Sequence, residues 1–215
     1  MSDSAAFHEV DEAVRKDELK EWWGRYGTWV VASVVIVIVA AAGWVGWQRY
    51  DQSVRGEASA AYTDAVAKIS QDRAAALAAL EKQASSAPEP YRSLAALVAA
   101  QLRQPIEAQI SALVAVAPTL SSPDLTDLAN LVAAYKGIDG QGGEAMVAKL
   151  EALAGIDRPF RLSVLELQAL SAGRKGDAKR ARELWSEIAK DPLVPQGMAQ
   201  RAAAMVNYFG PAEAK

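Results

Sequence analysis

The chain has 215 residues, 51% of them hydrophobic and 23% charged, with a formal net charge of −3; this suits a folded protein and gives no global signal for nucleic acid. It contains no cysteine, which excludes disulfides, thiolate metal sites and cysteine nucleophiles. Its single histidine, His8, lies in a polar leader, so neither a Ser-His-Asp triad nor a multi-histidine metal site can be assembled from the chain alone.

Residues 1–27 form an acidic leader with four Lys/Arg and seven Asp/Glu. The stretch Glu9–Lys20 permits a helix, but only Val10, Val14 and Leu19 would give it an apolar stripe. Residues 28–48 then read TWVVASVVIVIVAAAGWVGWQ without a charge. A helix of about twenty residues rises ~30 Å, the thickness of a bilayer's hydrocarbon core. Val30, Val31, Val34, Val35, Ile36, Val37, Ile38 and Val39 favour strands by propensity, but the run is too long for a buried strand. Aromatic residues flank it: Trp22, Trp23, Tyr26 and Trp29 before its centre, Trp44, Trp47 and Tyr50 after. Indole and phenol rings prefer the headgroup boundary, so these seven are the expected membrane-interface residues. The small residues Ala40, Ala41 and Ala42 resemble a signal-cleavage site, but the leader is long for an n-region and the apolar run continues to Trp47. An uncleaved anchor is therefore expected. Four Lys/Arg precede it and only Arg49 and Arg55 follow within twenty residues, which places the N-terminus in the cytoplasm and the long domain across the membrane.

Residues 49–57 read as a short polar linker. From residue 58 to 215 the chain is rich in Ala and Leu at helical spacing, broken near Pro88/Pro90, Pro105, Pro118/Pro123, Gly137–Gly143, Pro159, Gly173/Gly176 and Pro192/Pro195, with segments of roughly 12–16 residues between the breaks. Leu97-Val98-Ala99-Ala100 recurs as Leu131-Val132-Ala133-Ala134, and Leu167-Gln168-Ala169-Leu170 follows. Two further series run in step, Ala75, Ala108, Ala145 and Ala178, and Leu80, Leu113, Leu150 and Leu184. A period near 34 residues with two helices per unit is the tetratricopeptide pattern. The alanines are expected where paired helices approach closely and the leucines in the seams between units. The fold class is thus all-α: one transmembrane helix, then about four helix pairs between Gly56 and Lys190 and a capping helix from about Gln196 to Phe209.

The stretch Glu18-Leu19-Lys20-Glu21-Trp22-Trp23-Gly24-Arg25-Tyr26-Gly27, followed by the anchor and the exit Gly43 to Tyr50, resembles the YfgM-type family of ancillary subunits of the bacterial Sec translocon. Ala58 to Tyr62 is similar to the opening of the first repeat helix in that family. The resemblance implies a cytoplasmic N-terminus, one helix through the inner membrane, and a periplasmic repeat domain. It also implies partners among translocon subunits, periplasmic chaperones or secreted chains.

No catalytic, cofactor or metal site is expected, and no small-molecule substrate. Asp139-Gly140-Gln141-Gly142-Gly143-Glu144 lacks the Gly-Lys-Ser/Thr ending of a phosphate loop and reads as a turn between helices. Arg174, Lys175, Lys179, Arg180 and Arg182 read as a solvated helix start, the alternative being a lipid or acidic-partner patch. Trp185, among Leu184 and Ile188, reads as core. If the first helices of each pair line a peptide groove, the positions matched by the repeat are Ser93, Asp127 and Ser163, and Gln101, Tyr135 and Ser171. The expected function is a non-enzymatic scaffold whose repeat domain binds proteins at the secretion machinery. The alternative is a structural or self-associating envelope-assembly protein without client binding.

Overall fold

The computed structural model describes residues 3–140 and 142–210, with side chains from residue 20 onward. The described residues are helices, short 3-10 turns and loops. They divide into two compact units, 1–54 and 55–215.

The first unit is carried by α1 (Asp3–Ala67), a continuous helix of 65 residues. The first proline of the chain is Pro88, so nothing removes a backbone donor from this helix. Residues 49–57, expected as a linker, are helical and belong to α1. Within α1 an apolar window of mean hydropathy 2.3 is entirely unburied. A soluble domain does not leave so long an apolar surface bare. In hydrocarbon, by contrast, a helix satisfies every backbone group internally, so this is the chain's membrane-spanning segment.

The second unit begins in the last turns of α1 and continues through α2 (Arg73–Ser86), α3 (Tyr91–Leu102), α4 (Ile106–Val116), α5 (Pro123–Gly137), α6 (Gly143–Lys149), α7 (Arg161–Arg174), α8 (Ala178–Lys190) and α9 (Gln196–Tyr208). Starts are fixed by capping side chains: Asp72 accepts from Ala75 N at 2.9 Å, Ser122 from Leu125 N at 3.3 Å and Asp177 from Arg180 N at 2.9 Å. Consecutive helices pack on one another from α2 to α9. Ala65 of α1 and Leu80 of α2 share one buried cluster, so the expected pairs are the end of α1 with α2, α3 with α4, α5 with α6, and α7 with α8, with α9 as the cap.

The core is four clusters in series. Leu80, Leu113, Leu150 and Leu184 fall one in each and are all buried. The accompanying alanine series does not do what its spacing suggested. Ala75, Ala145 and Ala178 are exposed and Ala108 half-buried, because all four lie in the first turn of a second helix, before it reaches its neighbour. Close approach is made instead by first-helix alanines: Ala99, Ala133 and Ala169, at 4%, 1% and 0% exposure, each two residues after the buried Leu97, Leu131 and Leu167.

The helix α6 has only 7 residues, followed by a 3-10 turn at Glu151–Ala154, shorter than the expected segments. The glycine-rich turn before it explains the late start. Gly142 sits at φ +88°, a backbone that side-chain-bearing residues avoid, and a Cβ on Gly143 would lie 2.6 Å from the Gly137 carbonyl oxygen.

Candidate protein-binding surface

In the first unit, Trp22, Trp23, Tyr26, Trp29, Trp44, Trp47 and Tyr50 are all exposed, from 46% for Tyr26 to 75% for Trp29. They cluster toward the two ends of the apolar run. Trp22 stacks obliquely with Trp23 and Tyr26, at ring-centroid distances of 6.2 and 5.8 Å.

In the second unit, the six polar positions matched by the repeat do not share one surface. Ser93 is buried: its Oγ accepts from Ser121 N at 3.0 Å, and its own N–H donates to Glu89. Ser171 is buried as well. Gln101 is exposed, and its amide donates only to Leu97 O of its own helix. Asp127 is half-buried. Tyr135 and Ser163 are brought together, since the Tyr135 hydroxyl lies 3.1 Å from the Ser163 carbonyl oxygen and 2.8 Å from Glu166 Oε2. Burial and the Glu166 carboxylate raise the Tyr135 phenol above the ordinary tyrosine value.

Glu166 was not anticipated. It is 7% exposed, and Arg201 of α9 donates to its second oxygen at 3.1 Å. The one signal was a carboxylate within the apolar run Val164-Leu165-Glu166-Leu167, where a buried charge demands partners. A second such link runs from Arg161 at the start of α7 to Glu187 at 2.7 Å and to Asp191. The N–H of Leu193 and the Arg161 guanidinium hold Asp191 below the usual aspartate value.

The loops around this link frame a concavity with apolar walls. A groove of about 750 Å³ lies between Ile156–Leu162 and Asp191–Met198. Ile156 and Leu193 on its walls are 87% and 85% exposed.

The basic cluster is partly consumed by the fold. Arg174 reaches Asp139 and Lys175 reaches Glu144, each at 3.0 Å, joining the last repeat to the one before it, while Arg180 pairs with Glu183 at 3.6 Å. Trp185 is 2% exposed and belongs to the core, as its spacing indicated. Among the described residues no three His, Cys, Asp or Glu side chains gather in a metal-holding group.

A family model described as a tetratricopeptide repeat-like domain matches residues 20–187. Among curated proteins the chain is similar to an ancillary SecYEG translocon subunit of Escherichia coli, 24% identical over 182 residues, covering 83% of this chain and 87% of that protein. It is also similar to the ancillary SecYEG translocon subunit of Haemophilus influenzae, 27% identical over 75 residues, covering 35% of this chain and 37% of that one. No solved structure gives a significant match. The serial helix pairs, the buried leucine in every unit and the match over most of the chain agree: the chain belongs to the tetratricopeptide repeat-like family, in the YfgM-type branch that its anchor-flanking residues resemble.

Proposed function

We propose that the chain is a non-enzymatic, single-pass scaffold of the bacterial inner membrane whose repeat domain binds proteins at the Sec translocon. The repeat domain stands in the periplasm and links the translocon to chaperones or emerging chains. One observation carries this reading: a repeat domain on a membrane-spanning helix, in a chain similar over most of its length to an ancillary SecYEG translocon subunit.

The aromatic residues support the membrane assignment. Trp22 and Tyr50 are 28 positions apart, or ~42 Å along a helix, which matches a bilayer with its headgroups. The excess of Lys/Arg before the span over those after it supports a cytoplasmic N-terminus. Anchoring beside the translocon would raise the repeat domain's local concentration at its partners without any new contact. Within the domain, the groove framed by Ile156 and Leu193 suits an apolar stretch of a chain emerging unfolded, because such a stretch has apolar surface to bury and little else to offer.

The absence of native cysteine makes a topology test clean. Single cysteines at Ser4 and, separately, at the exposed Lys149 would be challenged in intact cells with a maleimide that crosses only the outer membrane. Labelling at position 149 alone is expected; labelling at position 4 alone would put the repeats in the cytoplasm and end the secretion reading. Mild solubilisation should then co-purify SecY, SecE and SecG with the wild type. Recovery of nothing but further copies of the chain would favour a self-associating structural protein instead. Photo-crosslinking from Leu193 to a stalled secretory chain should fall severalfold in the Ile156→Asp variant, and an unchanged yield would remove the groove from the reading.

A further inference from the structure

A second concavity, of about 420 Å³, lies between α8 and α9 and is lined by Lys179, Arg182, Glu183, Ser186, Glu187, Lys190 and Val206. Its two carboxylates are already engaged by cations outside the groove, Glu183 by Arg180 and Glu187 by Arg161. Lys179, Arg182 and Lys190 have no carboxylate partner among the described residues. Arg182 is the informative one. Its Nε is shielded from solvent and donates to no acceptor, an arrangement that costs stability when the fold alone is considered. Three uncompensated cations, one of them partly desolvated, give the groove a positive field that its own fold does not use.

We infer that this groove receives an acidic, extended segment of a partner polypeptide, whose carboxylates pair with Lys179, Arg182 and Lys190. From Lys179 to Lys190 is 11 residues, or ~16 Å of helix. A single phosphate or carboxylate cannot meet all three cations across that span. An extended chain rises ~3.3 Å per residue with alternate side chains on one face, so about five or six residues carrying two or three acidic side chains bridge it. Shape and composition separate this partner from other polyanions. The groove is concave, which disfavours a flat sheet of lipid phosphates. No aromatic side chain lines it, so it offers single-stranded nucleic acid no base-stacking platform. This inference names a partner chemistry for the protein-binding reading and rests on it only in taking that partner to be a polypeptide.

The test uses the full chain in phosphatidylcholine nanodiscs and fluorescent decapeptides of glutamate and of lysine. The glutamate peptide should bind in a salt-sensitive manner, since exposed charges are screened within ~10 Å at 0.1 M salt, and the lysine peptide should not. Arg182→Gln, and separately the double change Lys179→Gln with Lys190→Gln, should weaken binding about tenfold or more with unchanged helicity. Arg182→Lys should recover most of it, and Lys149→Gln on α6 should leave it untouched. Equal binding of both peptides, or full binding by Arg182→Gln, would overturn the inference. So would capture of phosphatidylglycerol vesicles that equals peptide binding and is lost in the same variants, because the groove would then be a headgroup site. Loss of translocon co-purification with peptide binding intact would remove the scaffold reading alone, so the two can fail separately.

Discussion

Tyr135 from α5, Glu166 from α7 and Arg201 from α9 meet across three helices, and each satisfies a polar group that the others would leave bare. Tyr135→Phe removes the donor to Glu166 Oε2 and leaves that carboxylate, at 7% exposure, with Arg201 alone, so it should cost ~1–3 kcal/mol in urea unfolding. The pH dependence has a definite sign. The folded phenol titrates above its ordinary value of 10.0, so the stability it contributes is complete below pH 10 and lost as pH rises toward the folded value. Wild-type unfolding free energy should therefore fall more steeply above pH 10 than that of Tyr135→Phe; parallel slopes would refute the link. Asp191 acts at the other end of the scale. Its carboxyl is held below 3.8 by the Leu193 N–H and Arg161, so its contribution is present above that value and fades as pH falls through the folded one. Arg161→Gln should move the acid limb of the stability curve upward. Repeat spacing singled out Tyr135 but not its role. Its acceptor lies 31 residues away on α7, and a period says which residues are equivalent, not which way an individual side chain turns. Ser93 and Ser171 show the same limit: they match exposed or half-buried positions in register, yet both are buried.

Each second helix spends one leucine on the core and its opening alanine on solvent, which gives a paired test. Leu113→Ala deletes a side chain at 0% exposure and should cost ~2–5 kcal/mol. Ala108→Ser, five residues earlier in the same helix and only half-buried, should stay within ~0.5 kcal/mol. Similar losses at both sites would contradict the seam assignment. The leucines were legible because burial on a helix repeats with the unit and a large aliphatic residue has little other reason to recur. The alanines were not, since a small residue is equally at home in a tight contact and in an exposed first turn. First-helix alanines are the sensitive ones. Ala133→Leu forces extra methylenes between α5 and its neighbours and should cost ~1–3 kcal/mol. The basic cluster was ambiguous for a related reason: Arg174 and Lys175 find their carboxylates 35 and 31 residues earlier, across the seam between repeats.

At the scale of the whole molecule, the anchor and the repeat count were legible because each rests on a long, repeated signal. A charge-free run of about twenty residues and a recurring leucine both outweigh local noise. The loops that shape the groove between Ile156 and Leu193 carry no such periodicity, so those two residues drew no notice before the structure placed them. Four clusters in series, each shared between neighbouring pairs, also set how damage spreads. Repeat stability is nearly a sum of units and nearest-neighbour interfaces, so loss at one end should stay local. Removing residues 196–215 takes away α9 and with it Ala202, Met198, Met205 and Phe209 from the cluster around Ala181, Leu184, Trp185 and Ile188. It also strips Arg201 from Glu166. Hydrogen exchange read by mass spectrometry should show α7 and α8 losing most of their protection, because the bared apolar face has no other cover. Helices α2 to α4, whose clusters share no residue with the last, should exchange as in the full chain. Uniform loss from α2 to α8 would mean that the repeats fold as one cooperative body rather than a nearest-neighbour stack, and would make α9 a keystone instead of a cap.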